Sequence, residues 1–208
     1  MENIGAMLIL ASSSTTRKAL LDKAGLPFTA VPAALDERAI EAEAVAAGAD
    51  GRDVALLLAR HKAEAVSNSY PGRLVIGADQ TLSLGLELLH KPGSREEAVE
   101  QLERLRAKTH RLHAAVTLVR DGILLWSDVQ TAELTMRDFS PEERDAVLAL
   151  EGDSILSSVG GYRLEGPSIR LFETVSGDYF TILGLPLLPL LAALRDLAPD
   201  ILQQGNAL

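Results

Sequence analysis

The chain has 208 residues, 47% of them hydrophobic, and carries 29 acidic against 20 basic side chains for a formal net charge of −9. That balance excludes a protein that coats DNA or RNA, whose phosphates demand a basic face, and it excludes electrostatic docking onto an anionic membrane. The absence of cysteine excludes a disulfide scaffold, a thiolate zinc site and a cysteine nucleophile, and the apolar content is too high for disorder.

The length suits one large domain or two closely packed lobes with a proper core. Met1 to Ala11 lacks a basic leader and a cleavage site, so Met7–Ala11 reads as a strand rather than a signal peptide. Thr181 to Leu197 is too short to span a bilayer and is interrupted by Gly184, Pro186, Pro189 and Arg195. The expected location is the cytoplasm.

Short apolar runs alternate with helical patterns through the first half, which predicts an α/β layered fold. Leu8 to Ala11 reads as a buried strand that runs into Ser12 to Arg17. Ala19, Leu20, Leu21 and Ala24 then recur at helical spacing until Gly25 and Pro27 stop them. Phe28 to Pro32 is a second strand, Ala33 to Glu37 a loop, and Ala39 to Asp50 an alanine-rich helical or flexible stretch. Val54 to Ser67 is an amphipathic helix with Leu57, Leu58, His61 and Ala65 on neighbouring turns. Leu74 to Ala78 is a strand ending at Asp79. Ser94 and Glu97 have capping-box spacing, ahead of a helix whose apolar stripe is Ala98, Leu102 and Leu105.

The middle of the chain is β-rich. His113 to Val119, Asp121-Gly122 and Ile123 to Trp126 read as a hairpin with a tight primed turn, and Gln130 to Arg137 adds a strand. Ser140-Pro141-Glu142-Glu143 opens a helix that Gly152 ends. Ser157 to Gly166 reads as a loop, Ile169 to Val175 as a strand and Leu187 to Leu197 as a closing helix, with Trp126 assigned to packing.

Chemistry has two candidate seats. A helix N-terminus offers unpaired backbone N–H groups to a phosphate, and the hydroxyls of Ser12, Ser14, Thr15 and Thr16 with Arg17 and Lys18 would add donors and charge. Capping of the helix explains the same hydroxyls. Asp79 stands at the carboxyl end of a strand, where α/β sheets place ligand-binding groups, although aspartate also forms turns there for local reasons. Asp36 and Glu37 are a further acidic pair that with Asp79 would suit a hard divalent cation, and a solvated acidic pair is the plainer explanation. Lys62 and Lys91 are candidate phosphate contacts among ordinary surface lysines. His61, His90, His110 and His113 have no metal-ligand spacing and are assigned to structure or surface.

Together the segments Leu8 to Ser14 with Arg17-Lys18, Ala59-Arg60-His61-Lys62-Ala63, Ile76-Gly77-Ala78-Asp79, Lys91-Pro92, and Gly177-Asp178-Tyr179 leading to Gly184-Leu185-Pro186-Leu187 resemble the Maf-like nucleoside triphosphate pyrophosphatases, in order and over residues 8 to about 197. The resemblance implies a single α/β domain over 1–208 with a mixed elongated sheet, flanking helices and two lobes around a central cleft. It implies a homodimer and hydrolysis of a nucleoside triphosphate between the α and β phosphates with a divalent cation, Mg²⁺ or Mn²⁺. By position, Asp79 matches the general base, Glu37 the residue that helps Asp79 hold the ion, Arg17, Lys62 and Lys91 the phosphate-binding cations, and Ser12 and Ser14 the loop hydroxyls. Such chemistry asks the protein mainly for positioning and charge neutralisation, and an aspartate beside a dication stays ionised at neutral pH.

The base-selecting positions of the family fall on Thr16, Gln80 and Glu165. Gln80 and Glu165 look like the branch acting on 7-methyl-GTP. Thr16 departs from it, lacking the tryptophan that would stack on a cationic purine, and Thr15 replaces the family's usual proline. A carboxylate at 165 accepts from both the ring N–H and the exocyclic amine of guanine, whereas a pyrimidine carbonyl would oppose an acceptor with an acceptor, at roughly 1–3 kcal/mol. The expectation is a purine-leaning enzyme with 7-methyl-GTP ahead of dTTP and UTP. A pyrimidine-type enzyme and a nucleotide-binding regulator of septum formation and cell division are the alternatives.

Overall fold

A computed structural model describes residues 8–203, so Met7, where the first strand was expected to begin, lies outside the described residues. In chain order the elements are β1 (Leu8–Leu10), α1 (Thr15–Lys23), β2 (Phe28–Ala30), α2 (Glu37–Ala46), α3 (Gly51–Ser67), β3 (Leu74–Leu84), β4 (Glu87–Leu89), α4 (Arg95–Leu105), β5 (Thr109–Arg120) and β6 (Ile123–Met136). There follow α5 (Pro141–Glu151), three short 3₁₀ turns (Gly152–Ser157, Val159–Gly161, Pro167–Leu171), β7 (Phe172–Ser176), α6 (Tyr179–Ile182), α7 (Leu187–Leu197) and α8 (Pro199–Gln203). The strands form one mixed α/β sheet in the order β2-β1-β3-β5-β6-β7, with β4 on β3. β1 runs parallel to β2 and β3, whereas β4 on β3 and β7 on β6 are antiparallel. Among the described residues no helix is long and apolar enough to cross a membrane.

The chain groups into two compact units. The first takes residues up to Gln80, Ala114–Gln130 and the chain from Tyr179 on, and the second Thr81–His113 and Thr131–Asp178. In the first unit, period-two alternation sends Leu8, Leu10, Leu74, Ile76 and Ala78 into a core with Leu20 and Leu21 of α1 and Leu187, Leu190 and Leu194 of α7. Ile9, Ala11 and Val75 point the other way, onto Ala63 and Val66 of α3. The closing helix is therefore a core helix, as its apolar run suggests, and Trp126 packs against the same core.

Residues Gly77 and Asp79 share the α3 side of β3 by the same alternation. A Cβ at residue 77 would lie 1.9 Å from the Ala59 carbonyl oxygen, so helix and strand approach as closely as only glycine allows. This close packing selects the face of α3 that is buried, Ala55, Leu58, Ala59, Lys62, Ala63 and Val66, so of the expected Leu57, Leu58, His61 and Ala65 only Leu58 lies on it. Asp50 and Asp53 close a capping box at its start.

Several expected boundaries move. β3 continues five residues past Asp79 and turns at Gly85 into β4, so the aspartate is not at a strand end. Glu37 is the first residue of α2 rather than a loop residue, and Asp36 is its N-cap, accepting from Ala39 N–H at 3.0 Å. The β5–β6 turn has Asp121 and Gly122 both at positive φ (51° and 74°), as a primed turn requires, but β6 then runs unbroken to Met136 instead of forming two strands. In the second unit Ser94 caps α4 through Glu97 N–H, yet the Glu97 carboxylate reaches Gly93 N–H at 2.7 Å, so the box is not closed on Ser94. Ile169–Leu171 belong to a 3₁₀ turn and β7 starts at Phe172. His110 is buried against Tyr162 and Phe172, and its Nε2 lies 2.7 Å from the Tyr162 hydroxyl.

Candidate functional site

Of the residues singled out above, Ser12, Ser14, Thr16, Arg17, Glu37, Lys62, Asp79 and Gln80 belong to the first unit. The β1–α1 connection is drawn tight: Ala11 N–H donates to the Ile76 carbonyl at 2.8 Å, and Ser12 Oγ accepts from Ser14 N–H at 3.2 Å. Ser14 is the N-cap of α1, its Oγ accepting from Arg17 N–H at 3.3 Å. The capping reading of the hydroxyl loop therefore holds for Ser14, whereas Ser12 Oγ accepts from the Arg17 side chain. Thr16, at the start of α1, is half-buried.

The guanidinium of Arg17 is buried and bonded through Nε and Nη1. Nε donates to the Gly184 carbonyl at 2.8 Å, and Nη1 to the Ala78 carbonyl at 2.9 Å and to Ser12 Oγ at 3.3 Å. Burial draws its pKa down, against the upward pull of the Asp79 and Glu37 charges. Arg17 therefore ties together the loop, the strand that carries Asp79 and the turn after α6.

Lys62 reaches from α3 to two carboxylates, donating to Asp79 Oδ1 at 2.6 Å and Glu37 Oε2 at 2.8 Å. The Lys62 and Asp79 side chains are each only 10% exposed, whereas Glu37 is 47% exposed, so the pair is closed on one side and open to solvent on the Glu37 side. Burial pushes the Asp79 carboxyl above the usual aspartate range, Lys62 and Arg17 pull it back, and the Glu37 charge adds to the rise. A buried carboxylate survives here because α3 delivers an ammonium to it.

Gln80 turns to the opposite side of β3. Its Nε2 donates to the Thr181 and Ile182 carbonyls at 3.0 and 2.9 Å. Lys91 and Glu165 belong to the second unit. Lys91 is exposed in the segment after β4. Glu165 is exposed in a turn, with Arg163 Nε 3.2 Å from its Oε1. In the 3₁₀ turn that follows, Ser168 is held by the buried Glu151, which accepts from Ser168 N–H at 2.8 Å and Ser168 Oγ at 2.7 Å.

Among the described residues no group of three or more His, Asp or Glu is placed to hold a metal ion. Two carboxylates that converge on one nitrogen nevertheless suit Mg²⁺ or Mn²⁺, since such ions use one or two carboxylates and complete their shell with water and phosphate oxygens. Glu37 and Asp79 are the residues that fit. The contributions that sequence reasoning missed are mostly backbone: the Ala78, Gly184, Thr181 and Ile182 carbonyls, and the close approach at Gly77. The signal for Gly77 was a lone glycine within a strand pattern.

An α/β sheet that presents a lysine-held carboxylate beside a hydroxyl loop and a buried guanidinium can orient a water against an anionic group. The family model described as "Maf-like protein" matches residues 7–197, and the chain belongs to the Maf-like family. It is 55% identical over 188 residues (90% of this chain, 92% of the other) to a protein of Rhodopseudomonas palustris strain HaA2 named nucleoside triphosphate pyrophosphatase. It is 53% identical over 188 residues (90% and 94%) to a Brucella abortus protein named 7-methyl-GTP pyrophosphatase. A Rhizobium johnstonii protein of that second name is 54% identical over 190 residues (91% and 96%).

Proposed function

We propose that the chain, working as one catalytic domain, hydrolyses nucleoside triphosphates between the α and β phosphates to a nucleoside monophosphate and pyrophosphate. The observation that carries this reading is the buried Asp79 carboxylate held by Lys62 beside Glu37. Lys62 occupies Oδ1, which leaves Oδ2 to accept a proton from the attacking water. As the water oxygen bonds the α phosphorus, the bond from that phosphorus to the α–β bridging oxygen breaks and pyrophosphate departs with that oxygen. A carboxyl raised by burial is a stronger base than a solvated aspartate and suits this task. Ser12 and Ser14 offer hydroxyls to phosphate oxygens, and Arg17 and Lys91 contribute positive charge to them. Glu37 and Asp79 would hold a divalent cation, which when bound neutralises charge on phosphate oxygens and acidifies water.

For the substrate we infer a purine preference, with 7-methyl-GTP ahead of dTTP and UTP, from Gln80 and Glu165 together with relatives that carry the 7-methyl-GTP name. The family resemblance alone supports a cytoplasmic homodimer as the working form. The test is pyrophosphate release over a panel of canonical and modified triphosphates, with Asp79→Asn alongside. Loss of a general base predicts a fall of about 10²–10⁴-fold with nucleotide binding retained. Release by Asp79→Asn at the wild-type rate refutes the assignment of the base. Turnover of dTTP and UTP far above guanine nucleotides refutes the preference, and tight binding without turnover by the wild type would favour a regulator.

A further inference from the structure

The buried carboxylate of Glu151 takes no part in the chemistry proposed above. It ends α5, and the donors that reach it come from one residue of the 3₁₀ turn Pro167–Leu171: Ser168 N–H at 2.8 Å and Ser168 Oγ at 2.7 Å. The sequence explains why that turn draws an acceptor from a distance. Gly166 stands in the capping position with no side chain to offer, and Pro167 after it has no N–H, so Ser168 presents the first free backbone donor. A serine or aspartate at 166 would satisfy that donor locally and bind the turn to nothing else. Glu151, 17 positions upstream, satisfies it and also ties the turn to α5.

Gly166 joins this anchor to Glu165. Its N–H donates to the Arg163 carbonyl at 3.2 Å and closes the turn that carries Glu165, while its own carbonyl accepts from Ile169 N–H at 3.2 Å in the turn that follows. Its φ of −117° is open to any residue, so backbone conformation does not require the glycine. Contact does: a Cβ at 166 would lie 2.6 Å from Glu151 Oε1 and 3.0 Å from Oε2. The carboxylate is therefore seated against the backbone that follows Glu165. The other hold on the turn, Arg163 Nε at 3.2 Å from Glu165 Oε1, is a half-exposed pair and fixes little.

We propose that Glu151 is a positioning residue for Glu165: by anchoring Gly166 and Ser168 to α5, it fixes where the Glu165 carboxylate meets the nucleotide base. The inference rests on the reading of Glu165 as the acceptor for guanine. Selection by paired hydrogen bonds needs a fixed acceptor, since a carboxylate free to swing aside admits the wrong base almost as readily as the right one.

The test measures kcat/KM for GTP, 7-methyl-GTP and dTTP. Glu151→Met keeps the length and removes the acceptor, Glu151→Gln keeps an oxygen for Ser168, and Ser168→Ala removes one donor. Glu165→Gln and the combination of Glu151→Met with Glu165→Gln complete a double-mutant cycle. The quantity read is the ratio of guanine nucleotides to dTTP, because a general loss of folded enzyme lowers both alike. Glu151→Met should lower that ratio by about fivefold or more and Ser168→Ala by about twofold or more, with Glu151→Gln close to wild type. In the Glu165→Gln background Glu151→Met should move it by less than about twofold, since no carboxylate is left to position. Should Glu151→Met fail to fold, Ser168→Ala carries the same cycle. A ratio that Glu165→Gln lowers but Glu151→Met and Ser168→Ala leave unmoved overturns the proposal, as does an equal fall with and without the Glu165 carboxylate. A ratio unchanged in Glu165→Gln itself is a different failure, that of Glu165 as the guanine acceptor, and the proposal falls with it. If the wild type turns over none of the three, the same ratios are read from Kd.

Discussion

Gly77→Ala tests the packing that builds the site. The added Cβ would stand 1.9 Å from the Ala59 carbonyl oxygen, 2.8 Å from Ala63 Cβ and 2.9 Å from Ala63 N, whereas ordinary contact begins near 3.4 Å. Helix α3 must therefore retreat from β3 by about 1.5 Å, because the obstacles are backbone atoms and not the flexible end of a side chain. Overpacking of this kind costs about 1–3 kcal/mol, which in a domain of this size lowers Tm by roughly 2–12 °C. Lys62 rides on the same helix and Asp79 on the same strand, so the retreat also strains the 2.6 Å contact between them. A misplacement of about 1 Å at a catalytic group can cost on the order of 10²-fold in rate. Thermal unfolding and pyrophosphate release measured together should show both losses. Ala63→Gly added to Gly77→Ala should restore little, since the Ala59 carbonyl stays where it was. A Gly77→Ala protein that melts and turns over like wild type, or one fully rescued by Ala63→Gly, refutes this account of the site.

Two other outcomes follow from single residues. Burial brings the His110 pKa down to about 4, against 6.5 when unfolded, so only the unfolded chain takes up the proton between those values. The stabilising contribution is fully present above pH 6.5, is lost as pH falls towards 4, and amounts to about 3 kcal/mol. Denaturant melts at pH 7 and 4.5 should show that loss in the wild type and a shallower one in His110→Gln; equal slopes would contradict it. Glu165→Gln would replace with a donor one of the two acceptors proposed to meet guanine. It should lower kcat/KM for guanine nucleotides relative to dTTP by about tenfold, and an unchanged ratio in competition assays would remove Glu165 from base selection.

What the sequence made legible was local. The helix cap drawn from the hydroxyl loop and the Asp121-Gly122 turn depend on residues within three or four positions of each other, and both are present. Asp79 was found but misplaced, because a charged residue after an apolar run looks like a strand end. It lies in mid-strand only because Lys62, 17 positions away on another element, answers its charge. Of the stripe expected on α3, Leu58 is buried but Leu57, His61 and Ala65 are not, for a related reason. Hydrophobic patterning favours leucines, and this interface is set instead by alanines that let a helix touch Gly77. The carbonyls that hold Arg17 and Gln80 carry no residue signature at all, since any side chain could precede them.

The opening charge balance misleads about the site and yet bears on its metal. Arg17 and Lys62 stand against Asp79 and Glu37, so with Asp79 ionised the four groups cancel before any substrate arrives. A triphosphate would bring several negative charges into this neutral set. The proposed dication would supply positive charge, and oxygen donors that converge on one point are suited to it. The same pairing says the fold does not need that dication, because Lys62 already satisfies both carboxylates without it. Chelation should therefore abolish pyrophosphate release while moving Tm by no more than about 1 °C, and restored Mg²⁺ or Mn²⁺ should return the activity. A drop in Tm of several degrees on chelation would mean that the carboxylates are not satisfied by Lys62 alone, and release that persists in chelator would mean that the side chains themselves balance the substrate's charge.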